Sequence, residues 1–109
     1  MNSEGVQALV RNQDSDFKIA STTLLRIARN ILENVKEDKF RSIRIDSKAF
    51  QDKILPFDGA VQCLLEMGFQ EDGDKFTLFT GTSLADLKEI LKQIKSATNL
   101  KLAKTFSAE

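Results

Sequence analysis

A set of cations lies between positions 26 and 48 of this chain, among them Arg26, Arg29, Lys39, Arg41, Arg44 and Lys48. Among them sits Phe40, inside the charged run Glu37-Asp38-Lys39-Phe40-Arg41. Arginine suits carboxylate recognition because its planar fork offers two parallel hydrogen bonds. An aromatic ring ringed by cations can hold an apolar ligand side chain while the cations take its carboxylates. Asn30 carries an amide that can pair with a peptide backbone as both donor and acceptor. Each feature has a plainer reading as well. The cations can form a solvated face balanced by nearby acids, Phe40 can be a core anchor, and Asn30 can lie on a helix surface.

Other chemistry is poorly supplied. The chain has no histidine, which removes the commonest general base, the commonest zinc ligand and every Ser-His or Cys-His dyad. Cys63 is the single cysteine and sits in an apolar helical pattern, which predicts a buried, reduced thiol. The paired carboxylates Asp14/Asp16 and Asp72/Asp74 lie in turn-like sequences without a base partner. Gly59, Gly68, Gly73 and Gly81 are dispersed and make no phosphate-cradling loop. No cofactor or metal is expected, and no catalysis by this chain.

At 109 residues the chain fits one domain, able to bury roughly 60–70% of its unfolded surface. Sixteen Lys and Arg balance sixteen Asp and Glu. A nucleic-acid module usually carries a basic excess, so none is expected as a partner. No apolar run approaches the ~20 residues of a membrane span, and the N-terminal sequence does not read as a secretory signal. These features, with the lone cysteine, predict a soluble monomer in the cytoplasm, with the nucleus as a second location.

The elements that must position the cations follow from periodicity. Residues 3–11 predict a short amphipathic helix capped by Ser3. A long helix is predicted over 17–35 with Asp16 as N-cap. Its apolar face would be Ala20, Leu24, Ile27, Ala28, Ile31, Leu32 and Val35. Ser42-Ile43-Arg44-Ile45 alternates at period two, so both isoleucines would face the core and Arg44 would face outward. A brief helix from Asp46 or Ser47 would carry Ala49, Phe50 and Ile54. Pro56 would start another helix, burying Phe57, Ala60, Val61, Leu64 and Leu65 and ending at Gly68. Asp72-Gly73 predicts the turn of a hairpin whose sheet the strand at 42–45 extends. Ser83-Leu84-Ala85-Asp86 resembles a capping box opening the closing helix. That helix would bury Leu84, Leu87, Ile90, Leu91 and Ile94. The fold class is α+β: helices, a small antiparallel sheet of about three strands, and a C-terminal helix. Residues 1–98 would form the domain and 99–109 a fraying tail or the start of a linker.

The order and spacing of several blocks carry a resemblance. They are Ala28-Arg29-Asn30-Ile31-Leu32, then Lys39-Phe40-Arg41-Ser42-Ile43-Arg44-Ile45, then Ala49-Phe50. Leu55-Pro56-Phe57-Asp58-Gly59-Ala60-Val61 follows, and Cys63-Leu64-Leu65-Glu66-Met67-Gly68-Phe69 completes the run. Residues 17–95 resemble the PUB (PUG) domain, best known at the N-terminus of cytosolic peptide:N-glycanases. The resemblance implies a binding module of the ubiquitin–proteasome pathway rather than an enzyme. Its partner would be the acidic C-terminal tail of valosin-containing protein, the AAA ATPase, which carries a leucine-tyrosine pair near its end. The parent would then be a peptide:N-glycanase acting in ER-associated degradation. The implied groove lies between the end of the long helix and the strand, with contacts at Asn30, Phe40 and Arg44, and further at Lys48, Phe50 and Pro56. Glycanase-type members tend to have Tyr where this chain has Phe40, and often Asn where it has Ser47. The alternative is an adaptor in another ubiquitin-pathway protein, binding a different C-terminal or deubiquitinase-linked tail.

Overall fold

The spine of the structure, a computed structural model that describes residues 3–107 with side chains through Lys101, is the helix α2, Asp14–Glu33. Phe17, Ala20, Leu24, Ala28 and Ile31 recur at spacings of three and four and are all buried. The helix starts two residues before the predicted cap. Gln13 occupies the N-cap without a side-chain bond, and Asp14 and Asp16 lie in the first turn. Negative charge there complements the positive end of the helix dipole. The helix also ends early, so Val35 lies beyond it and is exposed, while Ile27 and Leu32 are half-buried.

Before it comes α1, Glu4–Val10, capped by Ser3, whose hydroxyl accepts from the Val6 N–H at 3.0 Å. A 3-10 turn, Asp38–Arg41, packs against α2 and leads into strand β1, Ser42–Arg44. Helix α3, Lys48–Lys53, is capped by Ser47. Helix α4, Ala60–Met67, buries Ala60, Cys63, Leu64 and Met67 and ends at Gly68, φ 113°. Strands β2, Gln70–Asp72, and β3, Lys75–Thr77, complete an antiparallel sheet of order β1-β3-β2. Helix α5, Ala85–Ser107, closes the chain and packs on α2, α4 and α1. Leu87, Ile90, Leu91 and Ile94 are buried as its spacing predicts, and Leu84 is half-buried. The architecture is α+β, with the three-stranded sheet and the C-terminal helix that the sequence implies.

Two further boundaries differ from the sequence expectation. Pro56 does not start α4. It lies in the turn between α3 and α4, and the helix begins at Ala60. A contact across 46 residues holds that turn: the Asn12 amide donates to the Asp58 carbonyl at 2.9 Å and accepts from the Asp58 N–H at 3.2 Å. Gly59 then takes φ +82°, with a Cβ-sized space filled by the Gly5 carbonyl at 2.3 Å. With the helix starting later, Leu65 turns to solvent while Cys63 and Met67 turn inward. The hairpin loop is Gly73-Asp74, one residue later than predicted, because Asp72 pairs with Lys75. Past Thr98, α5 continues without a break. Lys101 bonds Asp14 at 3.0 Å and sits 5.6 Å above the Phe17 ring.

Candidate functional site

Strand alternation puts Ile43 and Ile45 against the core and leaves Arg44 pointing outward at the edge of the sheet, 64% exposed. The turn that follows β1, closed by the Ser47 N–H on the Arg44 carbonyl at 3.2 Å, brings Asp46 to its side. Nε donates to Oδ1 of Asp46 at 3.0 Å and Nη2 to Oδ2 at 3.2 Å. The hairpin loop contributes Asp74, whose Oδ2 lies 3.5 Å from Nη2. The Asp46 hydrogen bond, and then the charges of Asp46 and Asp74, hold the guanidinium pKa above its ordinary value. In turn Arg44 holds the Asp46 carboxyl below the usual carboxylate range, mainly through that bond. The fork engages Nε and Nη2, so Nη1 is the edge of Arg44 left to a ligand.

Asn30 lies in the penultimate turn of α2, half-buried. Its carbonyl accepts from the Asn34 amide at 3.0 Å, and its own side-chain amide has no partner among the described residues. It lines a shallow groove of about 540 Å³ with Leu25, Arg26, Arg29 and Glu33. Phe40 sits in the 3-10 turn that packs on α2. Its ring leans half-buried on the core, with the Lys39 ammonium 5.2 Å from its centroid. Both open readings of Phe40 therefore meet in one side chain: it anchors to the core and presents a cation-flanked face.

The remaining candidates divide. Lys48 is exposed, one residue beyond the cap of α3, and pairs with Asp52 at 3.7 Å. The Ser47 hydroxyl donates to the Arg44 carbonyl at 2.8 Å and ties the start of α3 to the end of β1. Pro56 is exposed in its turn. Phe50 is 1% exposed and stacks on Phe76 at 5.7 Å, so it offers no surface to a ligand in this conformation. Arg41 leaves the basic patch as well. The 3-10 turn rotates it inward, where Nη2 donates to the Val35 carbonyl at 3.0 Å. Its charge lies close to the C-terminal end of α2, where a cation is favoured.

Asp46 and Asp74 are the functional neighbours that sequence reasoning missed. Asp46 was not legible from strand alternation, because β1 ends at Arg44 and Asp46 lies in the turn closed by the Ser47 N–H on the Arg44 carbonyl at 3.2 Å. Nor was Asp74, because its place beside Arg44 depends on the pairing Arg44↔Lys75. No group of metal-ligating side chains occurs among the described residues, and no helix of theirs is long and apolar enough to cross a membrane. Cys63 is buried, and desolvation first, then the nearby Glu66 charge, push its thiol up to about 12.

Residues 14–92 match the PUB domain family. The chain is 42% identical over 89 residues to the peptide-N(4)-(N-acetyl-beta-glucosaminyl)asparagine amidase of Gallus gallus, covering 82% of this chain and 14% of that protein. It is 47% identical over 77 residues to the Homo sapiens amidase, covering 71% and 12%. It is 36% identical over 100 residues to UBX domain-containing protein 6 of Caenorhabditis elegans, covering 87% and 23%. The chain thus spans less than a quarter of the length of these relatives. The match over residues 14–92 and these identities show that the chain belongs to the PUB domain family, whose members are protein-interaction modules.

Proposed function

We propose that this domain docks the acidic C-terminal tail of the AAA ATPase valosin-containing protein. The docking surface is formed by Asn30, Phe40 and Arg44, with Lys48 and Pro56 at its margin. The domain thereby tethers a peptide:N-glycanase to the ATPase, placing removal of N-glycans beside the extraction of misfolded glycoproteins in ER-associated degradation. The observation that carries the reading is the outward guanidinium of Arg44, which keeps Nη1 available while Asp46 and Asp74 fix its orientation. A fixed fork loses little freedom on meeting a carboxylate. Apolar tail side chains would rest on the open face of Phe40, and the Asn30 amide would pair with tail backbone. Phe50 acts from below, through Phe76 and the sheet, rather than by contact. The domain works as a monomer in the cytoplasm, without nucleic acid, membrane or cofactor. Titration with a synthetic tail peptide tests the reading: saturable one-to-one binding supports it, and none at accessible concentrations rejects it.

A second reading has its own support, the 36% identity to a UBX domain-containing protein over 87% of this chain. The domain would then serve an adaptor of the ubiquitin pathway, engaging a different C-terminal or deubiquitinase-linked tail. The sequence following residue 109 in the full-length protein discriminates. A transglutaminase-like core favours the glycanase, and a ubiquitin-like module without one favours the adaptor.

A further inference from the structure

We infer that the outer face of α2 is a second recognition strip, built to hold an acidic segment of a bound peptide alongside the docking residues. Asn30 lies at one end of this face, in the groove shared with Arg26 and Arg29. That groove runs into a second of about 260 Å³, with which it shares Thr22 and Arg26, and which Lys18 and Lys53 also line. Four cations therefore border the joined grooves, against Glu33 as the single acid. All four are exposed, and none takes part in an ion pair among the described residues. Arg44 and Lys48, by contrast, each have a carboxylate partner. In a chain of zero net charge this is a local positive surplus, four cations against one lining acid.

The lining also selects among anions. Ile19 and Leu25 border the grooves and suit aliphatic side chains, and no aromatic ring lines either one. Single-stranded nucleic acid binding leans on such rings for base stacking. A membrane-surface helix needs a free apolar face, and the apolar face of α2 is buried in the core. An extended acidic peptide fits both the charge and the mixed lining. The inference rests on the tail-docking reading for its orientation: the docking end lies at Phe40 and Arg44, and the acidic run passes Asn30 along α2.

Three synthetic peptides test it against the whole domain by fluorescence anisotropy. The first has a leucine-tyrosine end preceded by aspartates, the second the same end preceded by glycine and serine, and the third the aspartates alone. Arg26→Ala/Arg29→Ala should weaken the first about fivefold and leave the second unchanged, because exposed cations each contribute modestly. With the unaltered domain the first peptide should also show the steeper loss of affinity with salt. Equal loss for the first two peptides, or no loss for either, overturns the strip. If the first and third bind alike, both depend on the two arginines and the second does not bind, the strip stands and the docking reading falls. A DNA duplex or a phosphatidylserine vesicle that binds through these arginines more tightly than the first peptide overturns the assignment to a peptide.

Discussion

Arg44 at the end of β1 and Asp46 in the turn that follows close a two-pronged fork, at 3.0 and 3.2 Å. The residue best placed to receive an acidic ligand thus already holds an internal carboxylate. Asp46 gives Arg44 its direction and also competes for its donors.

Removing that competitor should favour the ligand. Asp46→Asn keeps the shape and deletes the charge, so tail affinity should rise about two- to tenfold, measured by calorimetry. Acid pH would not reveal the same effect. Asp46 is held below the ordinary carboxylate range, so as pH falls the carboxylates of a ligand are protonated first and binding weakens. Unchanged or weaker binding by Asp46→Asn at neutral pH would show that orientation outweighs competition.

Cys63 should behave as a core residue. Its pKa is raised to about 12, above the ~8.5 of an unfolded thiol. The unfolded state therefore loses a proton that the folded state keeps. The stabilising contribution is fully present below about pH 8.5 and is lost as pH rises towards 12, by about 1 kcal/mol per pH unit. Denaturation between pH 8 and pH 10 should show a steeper decline for the parent chain than for Cys63→Ala. Thiol labelling should require unfolding, and rapid labelling of the native domain at neutral pH would contradict the assignment.

The turn before α4 is a sharp point of backbone constraint. Gly59→Ala must place a Cβ 2.3 Å from the Gly5 carbonyl and 2.5 Å from the Leu9 nitrogen, at φ +82°. Gly73→Ala has positive φ but open space around it. The second should cost about 1–2 kcal/mol from conformation alone. The first should cost clearly more, because α1 must move away from α4. Urea denaturation of the two variants compares them, and equal losses would mean that the α1 contact yields freely.

The two phenylalanines of the site region should separate binding from stability. Phe50→Ala removes a ring 1% exposed and should destabilise the fold by about 3–5 kcal/mol. Phe40→Tyr keeps ring size at a half-buried position and should leave the melting temperature nearly unchanged. If the added hydroxyl meets a tail acceptor, binding tightens by about 0.5–1.5 kcal/mol. Unchanged or weaker affinity with an unchanged melting temperature would place Phe40 outside the docking pocket.

Local rules made some features legible and tertiary contacts hid others. The Ser3 cap, the Gly68 helix end and the outward Arg44 each follow from a few neighbouring residues, and each appears in the structure. Pro56 misled because a proline fits a turn as well as a helix start, and the deciding bond comes from Asn12. Arg41 and Arg44 are three residues apart and equally charged, yet one is buried and one exposed. The 3-10 turn ahead of β1 separates them, and nothing in the charge pattern marks it. Phe50 follows the same logic: helical spacing gives it an apolar neighbour set but not the Phe76 ring that covers it.

Whether Arg44 holds the ligand is decided by calorimetric titration of the valosin-containing protein tail peptide into Arg44→Ala. Arg44→Lys should recover part of any loss, since a point charge cannot reproduce the planar fork. Arg11→Ala, on the α1 side of the molecule, is the control. Arg44→Ala should weaken binding at least about tenfold at physiological salt, with an unchanged melting temperature. Equal tail affinity for Arg44→Ala and Arg11→Ala would contradict this and return the cation cluster to a solvated face.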